Sequence, residues 1–257
     1  MLKKIGIAVL FGLIAGGFSV ARADFLGTIV GGHVDIGVGF HAGALEPHIH
    51  VETPIQRFND TDLGIGEYEP DQLWFGVGDG SARLRNLGFA GPEFDFLGVG
   101  VNQNFWHLRA GAFAGQPRVG FAAEELDSAD GWSDVTFTIE GITSISGSSE
   151  FSVWKIDDNN VLQWASTVDG NPSSFVIGVG AHDHWNMAFT GEGVFEVNFL
   201  VSATQNGNPF SQASAFTFAV GNANFSAVPE PTSIALLACC GTVLVGVRKW
   251  RRKPNVA

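Results

Sequence analysis

Between residues 24 and 227 apolar and polar positions alternate in short runs with a period of two, the spacing of half-buried β-strands. Residues 34–40 read Val-Asp-Ile-Gly-Val-Gly-Phe. The same alternation of β-branched and aromatic residues recurs at 73–78, 135–140, 151–156, 175–180, 194–203 and 215–220. Turn-forming clusters separate the runs, among them Gly78-Asp79-Gly80, Asp157-Asp158-Asn159-Asn160 and Asn206-Gly207-Asn208-Pro209. Only residues 122–126 hint at a helical period, the polar and acidic stretch 56–71 reads as a long loop, and no internal repeat is visible. The pattern predicts an all-β fold, an antiparallel β-sandwich whose inner faces are filled largely by phenylalanine.

Both ends break the alternation. Met1-Leu2-Lys3-Lys4, an apolar run over residues 5–18 and Ala21-Arg22-Ala23 have the order of a cleavable signal peptide, giving a leader of 1–23 and an exported body of 24–227. Residues 232–247 carry no charge and are long enough, with Pro231 and Trp250 at their ends, to form one transmembrane helix. Arg248, Lys249, Arg251, Arg252 and Lys253 follow at once and hold that end on the cytoplasmic side, leaving the body outside. Pro229, Glu230 and Pro231 stand just before the helix. This order of Pro-Glu-Pro, apolar helix and basic end in 228–257 resembles the PEP-CTERM sorting signal. The resemblance implies handling by signal peptidase and by an exosortase-type enzyme in a Gram-negative bacterium. The precursor would be anchored in the inner membrane and the product displayed at the cell surface or in the extracellular matrix.

Setting the ends aside changes the composition. Of the 14 Lys and Arg, three lie in the leader and five in the tail, and of the 26 Asp and Glu only Glu230 lies outside the body. Six cations therefore face 25 carboxylates there. So acidic a surface repels nucleic acid and attracts cations. Both cysteines, Cys239 and Cys240, fall in the tail helix, so the body has no disulfide and no thiolate ligand. Histidine and carboxylate are the strong metal ligands left to it.

Five of the seven histidines fall in three short clusters, Gly32-His33-Val34-Asp35, Glu46-Pro47-His48-Ile49-His50-Val51-Glu52 and His182-Asp183-His184-Trp185-Asn186. On a strand, His48 and His50 share one face with Glu46 and Glu52 while Ile49 and Val51 take the other. His33 joins Asp35, and His182 joins His184 and Asn186, by the same parity. A His-x-His pair sets two imidazoles roughly 6–7 Å apart, within reach of one ion, and zinc asks for three or four such ligands. The candidate metal ligands are His33, His48, His50, His182 and His184, with Asp35, Glu46 and Glu52 as further ligands or as carboxylates that orient the imidazoles. His41 and His107 read as surface or packing residues.

Gly32-His33-Val34-Asp35-Ile36-Gly37-Val38, His48-x-His50 and the run from His182-x-His184-x-Asn186 through Phe189 to Gly193-x-Phe195 are similar to the surface-anchored repeat domain called choice-of-anchor M. The similarity is carried by the two ends of residues 33–203. It implies binding or handling of a divalent metal, zinc before manganese, in association with a metal-uptake system. Two other classes compete. A carbohydrate- or matrix-binding surface module would use exposed faces among Trp74, Trp106, Trp132, Trp154, Trp164 and Trp185, with extracellular polysaccharide as its partner. A metallohydrolase would need an open coordination position and a general base. No His-Glu-x-x-His or Gly-x-Ser-x-Gly motif is present, so no catalytic residue is assigned and the expectation is a protein that is not an enzyme.

Overall fold

The computed structural model describes residues 25–226 apart from 158, 159 and 161, so the expected leader and tail helix lie outside the described residues. In chain order the strands are β1 Gly27–Gly31, β2 His33–His41, β3 Ala44–Val51, β4 Gln56–Arg57, β5 Gly66–Tyr68, β6 Leu73–Val77, β7 Ala82–Leu84, β8 Asn104–Leu108 and β9 Arg118–Ala122. They continue with β10 Val135–Gly147, β11 Phe151–Ile156, β12 Leu162–Ser166, β13 Ser174–Ile177, β14 His182–His184, β15 Asn186–Phe189, β16 Gly193–Gln205 and β17 Asn208–Val220. Helical structure among the described residues is confined to short 3₁₀ segments, and 122–126 is the end of β9 and a turn rather than a helix.

The strands form three sheets. One has seven strands in the order β13-β10-β16-β17-β6-β1-β4, and two have five, β12-β11-β15-β8-β7 and β14-β9-β2-β3-β5. The all-β expectation holds. Antiparallel pairing throughout does not, because β1 and β17 both run parallel to β6, and β2 runs parallel to β9. The stretch 56–71 is also more than a loop, since it supplies the edge strands β4 and β5 and an Ile55–Leu63 bridge.

The longest pairing is the β16–β17 hairpin, in register from Gly193–Val220 to Gln205–Asn208. Its two-residue turn places Asn206 and Gly207 at positive φ, 50° and 80°, as a type I′ turn requires, and the twist of that turn matches the twist of the strands it joins. Pro209 therefore lies in the strand, opposite Thr204.

Alternation along β16 turns Phe195, Val197, Phe199 and Val201 inward. Phe121 of β9 packs 5.8 Å from Phe199 and 5.2 Å from Phe137, ring centre to ring centre. Phe151 of β11 and Phe189 of β15 lie 5.7 and 5.1 Å from Phe218. The two five-stranded sheets thus cover the same face of the long sheet side by side, which makes a sandwich with one layer divided in two. Phe199 is fully buried and touches rings from β9, β10, β11 and β17. Replacing it by alanine is expected to cost about 3–5 kcal/mol of stability through lost burial and the cavity left behind, measured as a shift of the urea unfolding midpoint. A loss below about 1 kcal/mol would contradict its place at the junction of the sheets.

Candidate metal centre

The register of one five-stranded sheet brings the three histidine clusters together. Asp35 of β2 pairs with His50 of β3 on one side and Gly120 of β9 on the other, and Gly120 pairs in turn with His184 of β14. One pleat further along, Gly37 lies between His48 and Ala122, and Ala122 pairs with His182. His33 and Arg118 begin the same face. Val34, Ile36, Ile49, Val51, Val119 and Phe121 take the opposite face and enter the core.

Glycines in the floor make room for the rings. A Cβ on Gly120 would stand 2.1 Å from Asp35 Oδ1 and 2.9 Å from His184 Nδ1. One on Gly37 would stand 2.7 Å from His48 Nε2, and one on Gly39 2.3 Å from Glu125 Oε2. Any side chain at these three positions would push the polar groups off the sheet.

Two trios of ligand atoms result, each with its members within 4.8 Å of one another: His33 with His182 and His184, and His48 with His50 and Glu125. The trios are joined by groups that share members, His33 with Asp35 and Glu52, and His50 with Glu52 and Glu124. The His33 ring lies 4.7 Å from that of His184 and 5.7 Å from that of His182, and the His48 and His50 rings are 6.1 Å apart. Carboxylates orient several rings. His33 Nδ1 is 2.8 Å from Glu52 Oε2, His182 Nδ1 is 2.7 Å from Glu124 Oε1, and His48 Nε2 is 2.9 Å from Glu125 Oε1.

Asp35 lies beneath them with no exposed surface, and neither carboxylate oxygen receives a hydrogen bond. Nε2 of His33, 3.5 Å from Asp35 Oδ2, and both ring nitrogens of His184 are also buried without a hydrogen bond. Burial pushes the Asp35 carboxyl up to about 8, helped by Glu52, to which it can donate only when protonated. Burial pulls Glu52 upward too, but the Asp35 hydrogen bond and the charges of His33, His182 and His50 outweigh it and hold Glu52 below the usual carboxylate range. Burial lowers His184 to about 4 and also lowers His33 against the pull of Glu52. The hydrogen bond with Glu124 raises His182.

Several expectations need correcting. Asn186 does not join His182 and His184, because the chain leaves the sheet at the buried Trp185. It enters β15 of the other five-stranded sheet, where Asn186 Oδ1 accepts from the His107 ring at 2.9 Å. The Glu46 side chain is exposed and belongs to neither trio, and its contribution is a backbone carbonyl 3.0 Å from His48 Nδ1. Glu124 and Glu125, absent from the expected ligands, enter from the turn after β9. The adjacent acidic pair was the only local signal for them, and it lay inside the stretch that hinted at a helix. His41 is exposed and His107 is buried against Trp154, as surface and packing residues should be. Trp74, Trp132, Trp154 and Trp185 are buried, and Trp106 and Trp164 are half-buried.

Comparison with protein-family models, with curated proteins and with solved structures finds no match to this chain. The arrangement itself is a pair of adjoining nitrogen–oxygen donor sets built on one glycine-floored sheet face.

The raised Asp35 carboxyl gives a pH-dependent prediction for the metal-free protein. The folded state holds this proton more tightly than the unfolded chain, so the contribution is intact below about pH 4 and is lost as pH rises to about 8. Asp35→Asn should therefore stabilise the chelator-treated protein by about 2–4 kcal/mol at pH 8 and by almost nothing at pH 4, read from urea unfolding at both values. Equal effects at the two pH values would contradict the burial of an ionisable Asp35.

Proposed function

We propose that the β domain binds a divalent cation, zinc before manganese, on the polar face of the sheet formed by β14, β9, β2, β3 and β5. The observation that carries this reading is the fully buried Asp35, which receives no hydrogen bond and lies beside buried ring nitrogens, His33 Nε2 and both nitrogens of His184, that have no hydrogen bond either. An ionised carboxylate in that position costs several kcal/mol unless a cation compensates it. Neutral histidines are the right protonation state for ligands, and burial keeps His33 and His184 neutral.

The donor chemistry favours zinc. Imidazole with a minority of carboxylate suits zinc, whereas manganese prefers mostly oxygen. His33, His182 and His184 make a three-nitrogen set to which Asp35, grouped with His33 and Glu52, adds an oxygen through the shared His33; Glu52 contacts the His33 ring and Glu124 hydrogen-bonds to His182, fixing their orientation. His48, His50 and Glu125 provide the neighbouring set.

The ends of the chain support a surface setting. The leader, the Pro229-Glu230-Pro231 tail and the excess of carboxylates fit a domain exported and held outside the membrane, where it takes up or hands on metal ions. Metal handling without catalysis is the function proposed.

Two experiments test this reading. Residues 24–227, purified and dialysed against zinc at pH 7, should retain at least one ion per chain by metal analysis. Joint replacement of His182 and His184 by alanine should lower affinity by about 10- to 100-fold or more. Calorimetry in buffers of different ionisation enthalpy should show at least about one proton released per ion, because Asp35 gives up its proton. Stoichiometry near zero in the unaltered protein would overturn the proposal. In cells, deleting residues 229–253 should release the protein from the membrane fraction, and undiminished membrane association would contradict the anchor.

A further inference from the structure

A second polar constellation lies on the other five-stranded sheet and shares no residue with the histidine groups. Residues from β7, β8 and the segments after them line a cavity of about 790 Å³, within the range of about 300–1,000 Å³ typical of small-ligand sites. Two of the six cations between residues 24 and 227, Arg83 and Arg109, are in its wall, and no carboxylate lines it.

Their situation differs from that of three of the other four cations, while the fourth, Arg118, donates from Nε to the Ala110 carbonyl. Arg57 pairs with Asp60, Arg85 with Asp95 and Lys155 with Asp183. Arg83 and Arg109 have no carboxylate partner among the described residues, although carboxylates outnumber cations about fourfold in this part of the chain. Both guanidiniums gather on one ring instead, with the Arg109 Cζ 4.2 Å and the Arg83 Cζ 5.7 Å from the centre of Phe113. The Nε of each is buried without an acceptor. Both arginines line the same cavity, and an anion bound there offsets their like charge and gives the unpaired guanidiniums an acceptor.

The rest of the wall narrows the class of anion. Asn86 and Asn104 add amides that can donate to and accept from hydroxyl groups. Leu84, Leu87 and Phe89 form an apolar side, with Leu87 95% exposed. His107 closes the inner end, neutral because burial lowers it to about 4 and engaged with Asn186, so the positive charge comes from the arginines alone. One charged edge, hydroxyl-matching amides and an apolar wall describe a ring that bears a carboxylate, carries hydroxyls and has a flat apolar face.

We propose that this cavity binds an acidic sugar unit of the uronic-acid kind, with Arg83 and Arg109 holding its carboxylate and Asn86 and Asn104 its hydroxyls. The site is independent of the cation centre.

The test is calorimetric titration of the purified full-length chain, in chelator, with oligogalacturonate, with the neutral galactose oligomer of the same length, and with acetate. Chelator removes any bridge between uronate and a bound cation. Saturable binding of oligogalacturonate is expected, weakened at least tenfold by Arg83→Gln and by Arg109→Gln and unchanged by joint replacement of His182 and His184 with alanine. Arg109→Gln also removes a contact with Phe113, so Asn104→Asp serves as a second variant. It places a carboxylate in the cavity from an exposed position and should abolish binding while leaving the circular dichroism spectrum unaltered. No binding of oligogalacturonate, binding insensitive to all three variants, or equal binding of the neutral oligomer would overturn the proposal. Acetate bound as tightly as the oligomer would overturn the assignment to a sugar.

Discussion

Successive side chains of a strand must leave on opposite faces, and the polar site depends on that constraint. β2 gives Val34, Ile36 and Val38 to the core, so His33, Asp35, Gly37 and Gly39 have no choice but the other side. β3 and β9 obey the same rule in register with it, sending Ile49, Val51, Val119 and Phe121 inward. The apolar packing that holds the sheet on the long sheet therefore also aligns the histidines. A one-residue slip of β3 against β2 would turn His48 and His50 into the core, which is why the phenylalanine contacts around Phe199 and the polar face stand or fall together.

Asp35 is where that alignment becomes costly. Its neighbours across the sheet are Gly120 and His50, and the absence of side chains at Gly37 and Gly120 lets imidazoles close over it. A buried carboxyl among neutral imidazoles must either keep its proton or meet a cation, and the raised Asp35 carboxyl together with the lowered His184 expresses that choice. Glu52 and Glu124, by contrast, are partly solvated and serve to hold His33 and His182. The same sheet face thus separates a carboxylate that needs charge compensation from carboxylates that orient rings.

Much of this was legible in the order of residues and some of it was not. The period of two in 34–40 and the His48-x-His50 spacing disclosed which groups share a face, since that depends only on local geometry. The meeting of the clusters did not show, because it rests on β2 lying parallel to β9 and on β14 pairing with β9 some sixty residues later, pairings with no local signal. The alternation alone puts Asn186 on one face with His184, whereas the indole of Trp185 is buried against Phe175 and the chain passes there into another sheet. Glu124 and Glu125 escaped notice because they lie in a turn, where side-chain direction follows from tertiary position. The unpaired Arg83 and Arg109 escaped for a similar reason, as the lack of a counter-ion is visible only in space.

The most direct examination of the proposed cation centre is zinc K-edge X-ray absorption on the zinc-loaded protein. The proposal predicts a shell of nitrogen and oxygen only, about four atoms at ~2.0–2.2 Å, with the outer scattering of at least two and up to three imidazoles. A shell containing sulfur, or one of oxygen alone without imidazole scattering, would contradict a centre built from His33, His182, His184 and Asp35.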